Sequence, residues 1–375
     1  MTRPVTRDDI ETSIDLCCRH LIGLQTSRGN FHYEYDWERS LYGGDDNAVR
    51  QAGTLWGLAN LHRLRPDEAL MEACVRGLSF YDEYSGTTAA GGRYSTYPGD
   101  AHGFTGSTAL VALALIELLR SPRAGDSADR RRWRGLLDEY FRFLLAAQRP
   151  DGRWPGHHDA GSGAPSGEPS PYSDGEVLLA LARSARHLEY PGLDRAIPRA
   201  TAGAYRHYVL LPLRRSLRSR ATSAYYQWGT MAMYEIIGAG WEEDEDYRGI
   251  VVYLGDWMCG FRRLGERKTN PAAALEGLIH AWDLAVAMGD ADRQRRYGDV
   301  IRTCLARMMS LQVGHPRAGN FARRAPDSAP ALGGCLHWPD KPALRIDFTQ
   351  HQLHACLLAA GLFTFDEQNA PHGRR

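Results

Sequence analysis

Near the carboxyl end of the chain, one segment combines an arginine, several acids and several histidines: GGCLHWPDKPALRIDFTQHQLHA. Asp347 and His351 lie four residues apart, so both side chains project from one face of a helix that begins near Asp347. Arg345 lies just before that helix, where its planar fork would suit a carboxylate or phosphate group. Because imidazole titrates near neutral pH, we predict that Asp347 and His351 are catalytic. Arg345 and Trp338 are predicted to bind the substrate.

Glu276 and His280 lie four residues apart inside an otherwise apolar run, PAAALEGLIHAW. Burial of a carboxylate is costly unless the group is paired or neutralised, and burial raises the pKa of a carboxyl group. We therefore predict that Glu276 is a catalytic acid with a raised pKa, and that His280 contributes to substrate binding. The alternative is structural: a Glu–His pair within the helix, or a hydrogen bond that joins packed helices.

Polar residues also precede two apolar helices in the first third of the chain. GGDDNAVRQ places Asp46 at the start of one helix and Arg50 one turn later, and PGDAHGFTGST places His102 on a glycine-rich turn before the next. We predict that Asp46 and Arg50 bind the substrate and that His102 is catalytic. A helix cap with a local ion pair, and a structural histidine, are the alternatives.

Two further helix starts carry acids and aromatic rings. In PSPYSDGEVLL, Asp174 and Glu176 approach one face, and two carboxyl groups whose pKa values differ can act as acid and base. We predict that Asp174 is catalytic, unless it only caps the helix, and that Tyr172 and Glu176 bind the substrate. In AYYQWGTMAMYE, Tyr226 and Trp228 are predicted to form an aromatic platform for the substrate, with core packing as the alternative.

The elements that must position these residues are helices. Twelve amphipathic stretches can be marked along the chain, and the candidate residues cluster at the even-numbered ones. Even-numbered stretches such as TALVALALIELL are apolar nearly all round, whereas odd-numbered ones such as RRRWRGLLDEYFRFLL carry charge on one side. This alternation predicts six inner and six outer helices, an all-α (α/α)6 barrel of six helical hairpins. Short extended pieces are expected in GGRYSTYP and KPALRIDF.

A degenerate repeat supports a ring of hairpins. Three odd-numbered helices end in a glutamine that is followed by a glycine and then by an aromatic residue. The members are Gln25, Gly29 and Phe31; Gln148, Gly152 and Trp154; and Gln312, Gly319 and Phe321. The pattern resembles the repeats of the α/α-toroid superfamily, which includes six-hairpin glycosidases, sugar epimerases, uronate-processing enzymes, terpenoid cyclases and protein prenyltransferases. The resemblance implies a helical toroid over nearly the whole chain, without selecting one member family.

Composition argues against several other classes. Lys plus Arg and Asp plus Glu each number 45 in 375 residues without a long basic run, so no nucleic-acid partner is expected. No apolar stretch approaches the roughly 18 residues of a membrane span, and the acidic N-terminal stretch is unlike a signal peptide. Seven cysteines without framework spacing favour a reducing compartment. We expect a cytoplasmic protein, one domain over 1–375, with a flexible tail at 363–375.

No metal and no cofactor are expected. The spacings C-x-x-C, H-E-x-x-H, G-x-S-x-G, Walker A and G-x-G-x-x-G are all absent from the sequence. Within the toroid superfamily, protein prenyltransferases bind zinc through Asp, Cys and His, and lanthionine-type cyclases use Cys and His. Cys335, His337 and His351 form a comparable set, so a zinc site there is a less favoured alternative. The D-x-D-D motif of class II terpenoid cyclases is absent.

These patterns together predict an enzyme that acts by acid/base chemistry on a polar small molecule, carbohydrate-like or carboxylate-bearing. Hydrolysis, epimerisation and elimination all fit the residue types. One alternative is a terpenoid cyclase or prenyltransferase-like enzyme with an aromatic-lined cavity, since aromatic rings can stabilise cations. Another is a toroid that binds without catalysis. The oligomeric state stays open.

Overall fold

The computed structural model describes residues 3–123, 126–241 and 246–365. Most of the tail predicted at 363–375 lies outside the described residues. The predicted all-α character is confirmed, because the strands are short and helices make up most of the described chain. The helices are α1 (Arg7–Gly23), α2 (Ala48–Leu64), α3 (Glu68–Glu83), α4 (Thr105–Arg120), α5 (Ser127–Ala147), α6 (Pro171–Leu188), α7 (Ala196–Ala204), α8 (Leu211–Arg215), α9 (Arg220–Gly238), α10 (Tyr247–Asp256), α11 (Ala272–Ala287), α12 (Ala291–Ser310) and α13 (Ile346–Leu362).

The strands form three small antiparallel sheets, ordered β2-β1-β8, β3-β4 and β5-β6-β7. Only β4 and β8 fall in the two segments where extended structure was expected. Two or three residues are too few to show the alternating polarity by which a strand is recognised in a sequence. The strands are β1 (Glu34–Asp36), β2 (Leu41–Tyr42), β3 (Ser85–Thr87), β4 (Arg93–Ser95), β5 (His102–Phe104), β6 (His157–Asp159), β7 (Pro165–Ser166) and β8 (Ala343–Arg345).

The sequence predicts one helix over about residues 193–211. In the structure a π-helical segment, Tyr205–Leu210, separates α7 from α8 in this stretch. Pro212 has no N–H, so it cannot donate to the carbonyl of Tyr208 four residues earlier. That carbonyl instead accepts a hydrogen bond from Thr222 Oγ1 of α9 at 2.6 Å. The irregular turn is therefore stabilised by a side chain from the next helix.

Contacts between Cα atoms divide the described chain into two compact units. The first unit comprises residues 3–23, 34–42 and 251–365, and the second comprises 24–33 together with the described part of 43–250. The prediction of one domain over 1–375 stays a prediction. No helix among the described residues is long and apolar enough to cross a membrane.

In the second unit, the predicted alternation of inner and outer helices holds. The apolar helices α2, α4, α6 and α9 pack against one another in that order, while α3, α5 and α7 each pack on one of them. Every residue of α4 from Thr105 to Leu119 is buried, as expected for a helix that is apolar on all faces. In the first unit, α11 packs between α12 and α13, and α1 packs on α13.

Two copies of the predicted repeat make equivalent hydrogen bonds. The amide Nε2 of Gln25 donates to the carbonyls of Gly29 and Ala73, at 3.0 and 2.8 Å. Gln148 donates in the same way to Gly152 and to Ala196 of the next outer helix, at 3.1 and 3.0 Å. Each glutamine therefore ties the end of one outer helix to the following loop and to the next outer helix.

The third copy was assigned to the wrong glycine and aromatic residue. Gln312 donates to the carbonyls of Gly333 and Ser13, at 3.1 and 3.2 Å, so the equivalent of Gly29 is Gly333 rather than Gly319. Gly333 has a φ of +86°, and a Cβ there would overlap the carbonyl of Leu16. An insertion between Gln312 and Gly333 displaced the motif, which is why spacing alone misplaced it.

A second repeated contact joins each loop to an inner helix. The residue two positions after the repeat glycine donates its backbone N–H to the side chain at the fourth position of the following inner helix. Phe31 donates to Gln51 at 2.8 Å, Trp154 to Asp174 at 2.8 Å, and Cys335 to Thr349 at 3.1 Å; Ser95 donates to Thr108 of α4 at 3.1 Å. The side chain at this position therefore anchors the loop, whichever residue type occupies it.

Candidate active site

Glu276 of α11 forms the centre of a buried cluster in the first unit. Its carboxylate has no exposed surface, and its two oxygens lie 2.9 Å from Nδ1 of His351 and 2.9 Å from Nδ1 of His354, both on α13. One carboxylate thus holds two imidazole rings from the neighbouring helix.

The charge state of Glu276 differs from the sequence prediction. Burial by itself would raise the pKa of Glu276, but the charges of His354 and His351 and their hydrogen bonds lower the pKa to about 2. The prediction of a raised pKa was wrong because the neighbouring imidazoles, 75 and 78 residues away in the chain, compensate for burial. Glu276 is therefore ionised near neutral pH and cannot serve as a proton donor.

An ionised carboxylate only accepts hydrogen bonds, so both Nδ1 atoms must carry the proton. In a neutral ring with Nδ1 protonated, Nε2 bears the lone pair. The His351 side chain is 19% exposed, whereas that of His354 is 1% exposed. His351 therefore has the tautomer and the access that a general base needs.

His280 takes a structural position. Its Nδ1 lies 2.7 Å from the backbone carbonyl of Glu276, one turn earlier in α11, and its ring is buried. The four-residue spacing thus brings His280 to the backbone of Glu276 rather than to its carboxylate. The predicted role of His280 in substrate binding stays a prediction.

Arg345 and Asp347 pair at the start of α13. Arg345 Nε donates to one carboxylate oxygen of Asp347 at 3.0 Å, and Arg345 Nη2 donates to the other at 2.6 Å. The pair is local, because Arg345 ends β8 and Asp347 is the second residue of α13. Since both carboxylate oxygens of Asp347 accept from the guanidinium, its geometry suits orientation of Arg345 better than proton transfer.

Aromatic rings pack beside Arg345 at the N-terminal end of α13. The Arg345 guanidinium lies 4.3 Å from the centre of the Phe348 ring, and His337 stacks on Phe348 at 4.2 Å with an angle of 9° between planes. Trp338 meets His337 edge to face at 5.1 Å and is 48% exposed. A guanidinium and an exposed indole therefore lie at the N-terminal end of α13, the helix that carries His351.

In the second unit, Asp46 and Arg50 do not pair with each other. Asp46 accepts hydrogen bonds from the Tyr97 hydroxyl at 2.5 Å and from Gln51 Nε2 at 2.7 Å. Arg50 donates to the hydroxyl of Tyr33 and lies over its ring. Asp46 is not the N-cap of α2 either, because Asn47 accepts the hydrogen bond from the Arg50 backbone at 3.1 Å.

His102 and Tyr172 lie on the surface of the second unit. His102 is the first residue of β5 and is exposed, and Tyr172, the second residue of α6, is 54% exposed. Tyr226 and Trp228 are buried, and Trp228 contacts Trp56 with ring centres 5.5 Å apart. Burial of these two rings supports the core-packing alternative over an aromatic platform.

Asp174 occupies the anchoring position described above. Its two oxygens accept from the Trp154 backbone at 2.8 Å and from the Tyr208 hydroxyl at 2.5 Å. Burial raises the pKa of Asp174 to about 7, against the lowering effect of these hydrogen bonds. Because the same position is held by Gln51, Thr108 and Thr349 in other helices, the contacts of Asp174 are those of a loop anchor.

Glu176 is buried without compensation. It is 2% exposed, and burial, with a smaller contribution from Asp174, raises its pKa to about 8. Its Oε2 atom has no hydrogen-bond partner in the part of the chain that the structure describes. Of the two carboxyl groups predicted near the start of α6, Glu176 is the one whose environment needs a functional explanation.

The sequence did not point to His354 or Phe348 as site residues, and it pointed to His337 only as a ligand of the less favoured zinc site. His354 follows His351 by three positions, so helical spacing would have placed it on the same face. The stacking of His337 on Phe348 could not be predicted from the spacing of residues in the sequence, because Phe348 lies in α13 and His337 lies before that helix. Within residues 3–123, 126–241 and 246–365, no group of three or more His, Cys, Asp or Glu side chains could hold a metal ion.

Comparisons with known proteins bear on the fold. No protein-family model and no curated protein match the chain. Among solved structures, a sugar epimerase from a ruminal bacterium aligns with a TM-score of 0.70 and 11% identity, over 95% of this chain and 99% of the epimerase. A D-mannose isomerase aligns with a TM-score of 0.64 and 13% identity, over 96% of this chain and 100% of the isomerase.

A third similar structure belongs to a hydrolase. The α-1,6-mannanase of Salegentibacter sp. HEL1_6 aligns with a TM-score of 0.62 and 9% identity, over 94% of this chain and 99% of the mannanase. These three proteins are (α/α)6 toroids, and each is covered almost completely. The predicted fold class and the predicted resemblance are therefore confirmed.

Proposed function

We propose that this protein is an enzyme that removes the proton on the carbon next to the carbonyl of a small sugar and returns a proton to the same or the adjacent carbon, as an epimerase or an aldose–ketose isomerase. The observation that carries the proposal is the Glu276 carboxylate, which accepts from Nδ1 of His351 at 2.9 Å. That contact leaves the Nε2 lone pair of a partly exposed imidazole as the base. Similarity in fold to a sugar epimerase and a D-mannose isomerase supports the substrate class.

The chemistry follows from the position of the lone pair. His351 Nε2 accepts the proton on the carbon next to the carbonyl of an open-chain aldose, and the C–H electron pair forms the C=C bond of an enediolate. After the enediolate has turned its other face toward His351, the imidazolium returns a proton to the same carbon, which gives the epimer. Return of the proton to the former carbonyl carbon, while the proton of the adjacent enediolate hydroxyl moves to the former carbonyl oxygen, gives the ketose. The positive charge of Arg345, oriented by Asp347, suits the enediolate oxygen.

Hydrolysis has weaker support in the first unit. Glycoside hydrolysis uses two carboxyl groups, one of them protonated. Glu276 is ionised and both oxygens of Asp347 accept from Arg345, so neither resembles a general acid. The alternative of a terpenoid cyclase or prenyltransferase-like enzyme has less support, because Tyr226 and Trp228 are buried in the core and were the aromatic residues expected to contact the substrate. A small-molecule substrate and a cytoplasmic location remain our expectations.

Solvent exchange tests the proposal. The purified protein is incubated in D2O with D-mannose, D-glucose and cellobiose in turn, and deuterium at the carbon next to the carbonyl is followed by NMR. We expect exchange with at least one of these aldoses. His351→Gln should slow it by about 10²- to 10⁴-fold, the usual contribution of a positioned general base.

His32→Gln is the matched control, because His32 is an exposed histidine in a loop of the second unit. Circular dichroism and thermal unfolding of both variants establish that the fold is retained. Exchange by the wild type that survives in His351→Gln would exclude His351 as the base. Absence of exchange with every aldose would contradict the proposed reaction itself.

A further inference from the structure

The first turns of α4 and α6, as the structure describes them, lack side-chain caps of the kind found at α2, α3 and α9. Asn47, Asp67 and Ser219 accept backbone N–H groups at the starts of α2, α3 and α9. No side chain caps α4 after Phe104, and none caps α6 after Ser170. First-turn N–H groups have no partner within their own helix. At α4 the first of them, that of Thr105, donates to the carbonyl of Gly156 at 3.2 Å. These two uncapped helices pack against each other.

The Glu176 side chain reaches the first turn of α4. A Cβ on Gly106, the second residue of α4, would overlap Glu176 Oε2 and would lie 3.2 Å from Ser173 Oγ. Gly106 therefore leaves the space that the carboxyl group needs. The hydroxyl of Ser107 is buried and, like Glu176 Oε2, has no hydrogen-bond partner among the residues described. Ser107 follows Gly106 in the first turn of α4, so an acceptor and a hydroxyl that are both unsatisfied among the described residues lie at the same turn.

A group that satisfies this point must both donate and accept. An anion would accept from the donors, but it would face the carboxyl groups of Glu176 and Asp174. A cation would face the donors instead. A hydroxyl group can do both, because it carries one O–H donor and two acceptor lone pairs.

We propose that the first turns of α4 and α6 form a subsite for one hydroxyl group of a neutral polyol or sugar, bound between Glu176 and Ser107. The hydroxyl donates to the Glu176 carboxyl group, or accepts from it when that group is protonated, and it accepts from the Ser107 hydroxyl. The identification of the ligand as a sugar rests on the proposed function. The preference for a hydroxyl rests only on the local groups.

Calorimetry with D-mannose tests the subsite. Glu176→Gln keeps an acceptor and a donor, so its affinity should stay within about threefold of the wild type. Glu176→Ala should lose roughly tenfold, the loss expected for one ligand hydrogen bond. Glu168→Ala is the control, because Glu168 is exposed in the loop before α6. Wild-type affinity in Glu176→Ala would overturn the proposal and would leave the proposed reaction untouched.

Infrared spectroscopy separates failure of the subsite from failure of the proposed function. The difference spectrum between wild type and Glu176→Gln isolates the carboxyl band of Glu176. Addition of glycerol or D-mannose should shift that band to lower frequency as the new hydrogen bond forms. A shift with glycerol, without deuterium exchange in any aldose, would retain the subsite and reject the sugar reaction. A band that moves with neither compound, as expected if the space holds only water, would overturn the subsite.

Discussion

Glu276 in the first unit and Glu176 in the second unit are both buried glutamates on inner helices, yet their surroundings are opposite. Glu276 has an imidazole on each oxygen, and its pKa falls to about 2. Among the described residues, Glu176 has no ion pair and its Oε2 has no hydrogen-bond partner, and its pKa rises to about 8. Burial alone therefore does not decide the charge of a carboxyl group. The charge of a buried carboxyl group also depends on its hydrogen-bond partners from the neighbouring helix, which for Glu276 are His351 and His354.

The difference assigns different chemistry to the two glutamates. Glu276, ionised near neutral pH, can orient an imidazole and stabilise the imidazolium that forms when His351 takes a proton. A largely neutral Glu176 can exchange hydrogen bonds with a ligand at little electrostatic cost. We therefore expect substitutions at the two positions to affect different quantities.

The largest expected difference is in turnover. Glu276→Gln places an amide between two imidazoles, and an amide NH2 cannot accept from the second ring. We expect kcat for the sugar reaction to fall by about 100-fold or more, because both the tautomer and the imidazolium of His351 lose their support. Glu176→Gln should change kcat by about threefold at most. Steady-state kinetics on both variants check this, and equal losses in kcat would contradict the division of roles.

The second difference is in stability against pH. The depressed pKa of Glu276 gives stability that is present above its ordinary value of 4.5 and is lost as the pH falls toward about 2. The raised pKa of Glu176 acts in the opposite sense, because the unfolded chain ionises above 4.5 while the folded protein keeps the proton until about pH 8. Glu176 therefore lowers the free energy of unfolding progressively between those pH values.

Denaturant unfolding of Glu176→Gln measures this effect. A tenfold change in proton affinity corresponds to about 1.4 kcal/mol, so at pH 8.5 the variant should gain up to about 5 kcal/mol over the wild type. At pH 4 the two should differ little. A gain that is the same at both pH values would show that the pKa of Glu176 is not raised in the folded protein.

The smallest expected effect concerns Asp347. Asp347→Asn should raise KM about tenfold through loss of the bidentate contact that orients Arg345, while kcat stays within about threefold. The sequence alone predicted a catalytic Asp347. A fall of about 100-fold in kcat with an unchanged KM would favour that earlier role over orientation.

Helical periodicity predicted the fold, because it depends on local spacing, and it selected Glu276 and His351, which the structure brings into contact in the candidate site. The pairings inside the site depend on contacts between helices, which spacing does not report. Four-residue spacing favoured Glu276 with His280 and Asp347 with His351, but Glu276 contacts His351 and Asp347 contacts Arg345. A buried carboxylate needs its strongest available partners, and for Glu276 these come from a distant part of the chain.

The anchoring role of Asp174 could not be predicted for a related reason. It becomes visible only when the hydrogen bonds of several hairpins are compared, since Gln51, Thr108 and Thr349 share its position but not its chemistry. The insertion before Gly333 hid the third copy of the repeat in the same way. Residue types along the sequence indicated which helices begin with polar residues. The contacts in the structure distinguish Asp174, which anchors a loop, from Glu176, whose Oε2 has no hydrogen-bond partner among the described residues.

Nitrogen-15 NMR of the histidine side chains tests the central claim most directly, because it reports which ring nitrogen of His351 carries the proton. Assignment comes from comparison with His351→Gln, at a pH where the ring is neutral. The account predicts a protonated Nδ1 and a lone pair on Nε2, and a loss of this preference in Glu276→Gln. A neutral His351 with its proton on Nε2 in the wild type would contradict it.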